Sequence, residues 1–129
     1  MALLIEETID VAAHVSSGVV DAYLARGERV QTMALSELVA DSVATDLSDL
    51  TAVVIGDMRT VEVVADDHFD LERLASAAWV LAGRGWDVMV LVPCNRIGDA
   101  HASLRAAPCL LQPWWFDEDG VWFGNPETP

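Results

Sequence analysis

Apolar positions three and four residues apart dominate the start of the chain. Ile5, Ile9, Ala12, Ser16, Val19 and Tyr23 fall on one helical stripe, widened by Val20 and Leu24, and predict a helix over residues 3 to 26. Glu6 and Glu7 suit its positive end, Arg26 its negative end, and Gly27 the left-handed residue past its last turn. Ser16-Ser17-Gly18 is its weak point, where the helix is expected to kink or divide. The pattern then changes to alternation. Arg29 to Leu35 reads as a strand with Val30, Thr32 and Ala34 on one side. Ser36 to Ser48 admits two readings: a short helix capped by Ser36 and running to Val43, or a long irregular connection.

Asp46-Leu47-Ser48-Asp49 reads as a turn into residues 49–64, DLTAVVIGDMRTVEVV, a tight two-stranded hairpin that carries acids into an apolar sheet. Asp67 as N-cap then opens a helix whose stripe is Leu71, Leu74, Ala75, Ala78, Leu81 and Ala82, closed by Gly83 or Gly85. Residues 86 to 92 read as a strand in which Val88, Met89, Val90, Leu91 and Val92 form an unbroken apolar run, as expected of a strand covered on both faces and ended by Pro93. A short helix over 97 to 106 follows. The tail is aromatic, with Asp119-Gly120 as a hairpin turn that sets Phe116 opposite Phe123 and puts Trp115 and Trp122 on the other face. Trp114, Trp115, Phe116, Trp122 and Phe123 are too many to bury on one small hairpin. Two readings stand: contact with a second subunit or protein partner, or an aromatic lid over the first helix. Residues 125 to 129 read as a frayed end.

With 129 residues, 53% of them hydrophobic, the chain is expected to be one α/β domain over 1–129, its core about 28–93 and its C-terminal helix and aromatic hairpin at 97–124. No apolar run is long enough to cross a bilayer, and no basic stretch precedes the first apolar residues. The expectation is a soluble cytoplasmic protein with no membrane association.

Charge changes the picture more than length does. Acidic residues outnumber basic ones 21 to 7, for a net charge of −14, and every basic residue is arginine. The acids are scattered, which fits a compositional origin; an acidic surface meant for a basic partner, or a mimic of nucleic-acid phosphates, is the other reading. In either case the field repels nucleic acid unless cations intervene. Cys94 and Cys109 match no zinc spacing and read as two buried, reduced thiols, with a metal site shared with His101 as the alternative. His14 reads as a surface or packed residue, and His68 stands in reserve beside the hairpin. Gly83-Arg84-Gly85 lies between a helix and a strand, the wrong side for a phosphate loop.

The order helix, strand, strand, strand, helix, strand, with Asp49 opening the second strand and Glu62 inside the third, resembles the PD-(D/E)xK superfamily, the restriction-endonuclease-like fold. The resemblance covers about residues 28–93. It implies an αβββαβ core around a mixed central sheet, with Asp49 as the motif aspartate and Glu62 as the acid of (D/E)xK, together holding Mg²⁺ or Mn²⁺. A type II′ turn at Gly56-Asp57 pairs Thr51 with Glu62 and brings both carboxylates near one ion; a turn at Asp57-Met58 pairs Val53 with Glu62 and separates them. Gly56 favours the first register. The lysine position of the motif is Val64, and no lysine exists elsewhere to replace it. Arg59 or Arg73 carries charge but does not readily release a proton. The favoured expectation is therefore a non-catalytic interaction protein on a degenerate nuclease-like fold, without cofactor, self-associating as a homodimer or binding a protein partner. The alternatives are a divalent-metal-dependent nuclease using Asp49 and Glu62, and an acidic decoy for a DNA-binding protein. If Asp49 or Glu62 instead has no such role, one starts a strand and the other faces solvent on an edge strand.

Overall fold

Residues 61–64 and 88–92 lie at the centre of the sheet, where the strands are covered on both sides. The structure, a computed structural model, describes residues 11–38, 51–56, 59–65 and 70–129. The elements in chain order are α1 (Val11–Leu24), β1 (Val30–Ala34), α2 (Leu35–Leu38), β2 (Thr51–Ile55), β3 (Thr60–Val64), α3 (Leu71–Gly83), β4 (Asp87–Pro93), α4 (Ile97–Ser103), β5 (Leu110–Asp117) and β6 (Gly120–Phe123). A single 3-10 turn, Cys94–Arg96, joins β4 to α4. The six strands form one mixed sheet in sequence order: β1, β2 and β3 are antiparallel, β3, β4 and β5 parallel, and β5 and β6 antiparallel. The α/β class is as the pattern predicted.

Strand alternation divides the core into two layers. On one face Ala52, Val54, Val61, Val63, Val88, Val90, Val92 and Leu111 meet Leu74, Ala78 and Leu81 of α3 and Ala100 of α4. On the other, Val53, Ile55, Val64, Leu91 and Trp114 meet Val15 and Val19 of α1. At about 25 cal/mol per Å² of apolar surface removed from water, these two layers supply the main folding drive.

Helix α1 runs without a break through Ser16-Ser17-Gly18, contrary to the expected interruption. Small residues there let the helix lie close to β6: a Cβ on Gly18 would sit 3.2 Å from Cε2 of Phe123. Its end follows expectation. Gly27 has φ 80°, and the N–H groups of Gly27 and Glu28 donate to the Leu24 and Tyr23 carbonyls. Leu24, read as part of the apolar stripe, is exposed. Ser36 lies within α2 rather than before it, and the rest of the expected helix to Val43 falls outside the described residues. The N-cap of α3 is Asp70, whose carboxylate accepts from Glu72 N–H at 2.9 Å; the cap expected at Asp67 and the nearby His68 lie outside the described residues. Gly85, at φ 87°, closes that helix, with Gly85 and Trp86 N–H donating to the Ala82 and Leu81 carbonyls.

Both hairpins depart from their expected registers. In the first, Val53 pairs with Glu62 and Thr51 with Val64, the register that Gly56 was expected to disfavour. Arg59, at φ 49°, takes a left-handed conformation and donates its N–H to the Gly56 carbonyl. In the second, Trp115 pairs with Trp122 and Trp114 with Phe123. Asp117 occupies the first turn position, its Oδ1 accepting from Asp119 N–H at 2.7 Å, and Gly120 takes the last at φ 131°. The expected frayed end is also corrected: Leu111 and Glu127 exchange both backbone hydrogen bonds, and Gly124 N–H donates to the Pro113 carbonyl.

Candidate functional site

Glu62 is the one place in β3 where a charge replaces an apolar residue, and alternation points it to the α1 side with Val64. Its strand is central, so the expected edge position facing solvent does not hold: Glu62 is 4% exposed, between Val53 of β2 and Met89 of β4. The last turn of α1 answers it. Tyr23 donates its hydroxyl to the carboxylate, and the Arg26 guanidinium, 5.2 Å from the Tyr23 ring centroid, adds its field. Burial pushes the Glu62 carboxyl above its ordinary value, while the Tyr23 hydrogen bond and Arg26 pull it part of the way back. Burial, followed by the bond to Glu62, raises the Tyr23 phenol in turn.

Around this group lies a cleft of about 330 Å³, walled by Val19, Ala22, Met89 and Phe123 and edged by Gln112, Arg26 and Pro126. Gln112 is itself fixed, its Nε2 donating to the Gly124 carbonyl at 2.8 Å. The returning C-terminal segment thus forms one lip of the cleft.

The other motif positions are differently placed. Asp49 lies outside the described residues. Val64, at the lysine position, is 1% exposed and packed with Val15, Val19, Leu91 and Trp114. Arg59 is used elsewhere: its Nη2 donates to the Arg84 carbonyl at 2.7 Å, its Nε to Gly85, and its guanidinium lies 4.9 Å from the Trp86 ring centroid. Arg73 lies in the first turn of α3.

Cys94 is exposed, not buried as expected, because it begins the turn after β4; Cys109 is half-buried, and burial pushes its thiol up to about 11. His101 pairs with the Glu127 carboxylate. Among the described residues no three His, Cys, Asp or Glu side chains are grouped to hold a metal ion. His14 meets Phe116 edge-on. No described helix is long and apolar enough to cross a membrane.

The aromatic hairpin divides between the two readings given to it. Trp114 is buried and donates its indole N–H to the Ala65 carbonyl, while Val121 and Phe123 cover α1. Trp115, Phe116 and Trp122 stay 40%, 43% and 46% exposed. The exposed indole of Trp122 donates to Asp117, whose carboxylate also accepts from the Asp119 and Gly120 N–H groups. Those three donors hold the Asp117 carboxyl below its ordinary value.

Comparison of the chain with protein-family models, curated proteins and solved structures finds no match. The geometry stands by itself. It adds Tyr23 and Arg26 to the residues singled out from sequence. Tyr23 was read as part of an apolar stripe, yet a tyrosine on a buried stripe needs a partner for its hydroxyl, and Glu62 was available.

Proposed function

We propose that the chain is a non-catalytic protein that works by association, on a degenerate nuclease-like core. The observation that carries this reading is the cross-strand pair Trp115 and Trp122, left 40% and 46% exposed on one face of a hairpin in which Asp117 accepts from the Trp122 indole and the turn N–H groups. Aromatic residues presented in a fixed geometry lose little conformational freedom on binding, the property of good interface anchors. The order over α1 to β4, helix, three strands, helix, strand apart from the four-residue α2 between β1 and β2, supports the nuclease-like part. The burial of Val64 supports the loss of catalysis, because the position that would orient an attacking water is filled by core.

The partner we favour is a second copy of the chain. Light scattering on the size-exclusion peak is expected to give a dimer at salt high enough to screen the net charge of −14, and Trp115→Ala with Trp122→Ala is expected to give a monomer. A monomer at all salt and protein concentrations would remove self-association. Titration with Mn²⁺ tests the other half: heat of binding that disappears in Glu62→Ala would restore the metal-dependent nuclease.

A further inference from the structure

The cleft over Glu62 has a polar design that association through the hairpin does not use. Its floor is Glu62, a carboxylic acid residue only 4% exposed. A carboxylate offers about four acceptor positions, and the Tyr23 hydroxyl occupies one. At the rim stands Arg26, exposed, its guanidinium 5.2 Å from the Tyr23 ring centroid. Between them runs an apolar wall of Val19, Met89 and Phe123. Buried charge with room beside it is costly to keep, and a cleft lined mostly by apolar groups with a few converging polar ones is the usual form of a small-molecule site.

The two charges select the ligand. A simple cation attracted to Glu62 meets Arg26, and a simple anion attracted to Arg26 meets Glu62. A molecule with both charges a short distance apart satisfies both. We infer that this cleft binds a small zwitterion of the α-amino acid type: its ammonium on Glu62 and Tyr23, its carboxylate on Arg26, and a compact aliphatic side chain against Val19, Met89 and Phe123. The volume of about 330 Å³ equals roughly eleven water-sized volumes, enough for a molecule the size of leucine.

Calorimetric titration of the full chain with L-leucine, L-methionine and L-valine tests this. At least one is expected to bind saturably, with Kd at or below about 1 mM. For that amino acid, the amide (ammonium without carboxylate) and the N-acetyl derivative (carboxylate without ammonium) are each expected to bind at least tenfold more weakly. Glu62→Gln and Arg26→Gln are expected to lose binding by the same factor. Glutamine keeps an oxygen for the Tyr23 hydroxyl, and Arg26 lies on the surface, so circular dichroism should show both variants folded; if Glu62→Gln fails to fold, Arg26→Gln decides. Binding of none of the three amino acids, an amide or N-acetyl derivative as tight as its parent, or unchanged binding in Arg26→Gln would each overturn the assignment.

Discussion

In the β2–β3 hairpin a carboxyl group is inside and apolar residues surround it. In the β5–β6 hairpin aromatic residues are outside and a carboxylate on the surface holds one of them. The first hairpin lies in the middle of the sheet, with Glu62 under α1 and Val64 in the core. The second ends the sheet and buries Trp114 while presenting Trp115 and Trp122. Each carries a carboxyl whose titration is shifted, and the shifts run in opposite directions because one is dominated by burial and the other by donated hydrogen bonds. Position in the sheet, more than residue type, decides whether an acid in a hairpin is a cost to folding or a brace.

The same substitution placed in both hairpins gives the largest contrast. Val64→Lys would bury an ammonium beside Val15, Val19 and Leu91, with the nearby Glu62 already engaged by Tyr23. We expect a loss of about 3 kcal/mol or more in urea unfolding, the scale of an uncompensated buried charge. Trp122→Lys, on the exposed face opposite Trp115, is expected to cost about 1 kcal/mol or less. Equal losses would mean that the aromatic face is core in solution, covered by something the isolated chain does not show. A mild effect at Val64 would reopen the lysine position of the motif.

The turns give a smaller contrast. Arg59 holds a left-handed conformation that costs a non-glycine residue about 1–2 kcal/mol, and its guanidinium clamps the Arg84 and Gly85 carbonyls and covers Trp86. Arg59→Ala keeps the backbone cost and loses the clamp, for about 1–2 kcal/mol in unfolding experiments. Arg59→Gly loses the same clamp but relaxes the backbone, and is expected to recover about half of that. Gly120 has no such choice: at φ 131°, alanine costs about 1 kcal/mol or more. If Arg59→Gly is as damaging as Arg59→Ala, the clamp accounts for the whole effect and the backbone for none.

These turns also explain what could be read in the chain. In both hairpins the expected pairing is displaced by two residues from the observed one, since Glu62 pairs with Val53 rather than Thr51 and Phe123 with Trp114 rather than Phe116. A slip of two leaves every side chain on its own face, whereas a slip of one would expose the core. The apolar pattern therefore sets the faces, and Trp115 and Trp122 do lie on the side opposite Phe116 and Phe123. It cannot set the register. That depends on where a glycine sits in the turn and on which neighbour can replace it: Gly56 opens a turn whose left-handed residue is Arg59, held by contacts 25 and 26 residues away. The partners of Glu62 were hidden for a similar reason. Tyr23 and Arg26 are 39 and 36 positions earlier, joined to it only by the packing of α1 on the sheet. The helix ends at Gly27 and Gly85 were legible because capping is local.

Proton linkage gives the last and smallest contrast, and its sign separates the two acids. Glu62 holds its proton more tightly folded than unfolded, so its contribution to stability is full below the ordinary carboxyl value of 4.5 and is lost as pH rises through the raised value. Glu62→Gln cannot lose that proton and still accepts from Tyr23. Its stability relative to the parent is expected to grow with pH across that window and to level off above it, in urea titrations from about pH 3 to about pH 8. Asp117 binds its proton less tightly folded than unfolded, so its contribution is present above the ordinary value of 3.8 and is lost as pH falls through the lowered one. Asp117→Asn is expected to fall behind the parent near neutrality and rejoin it in acid. Because that carboxylate is on the surface, the clearer readout is Trp122: its indole should become more mobile, by fluorescence anisotropy, in the variant at neutral pH and in the parent in acid. Stability differences of the same sign in both variants would mean that burial does not govern the titration of Glu62.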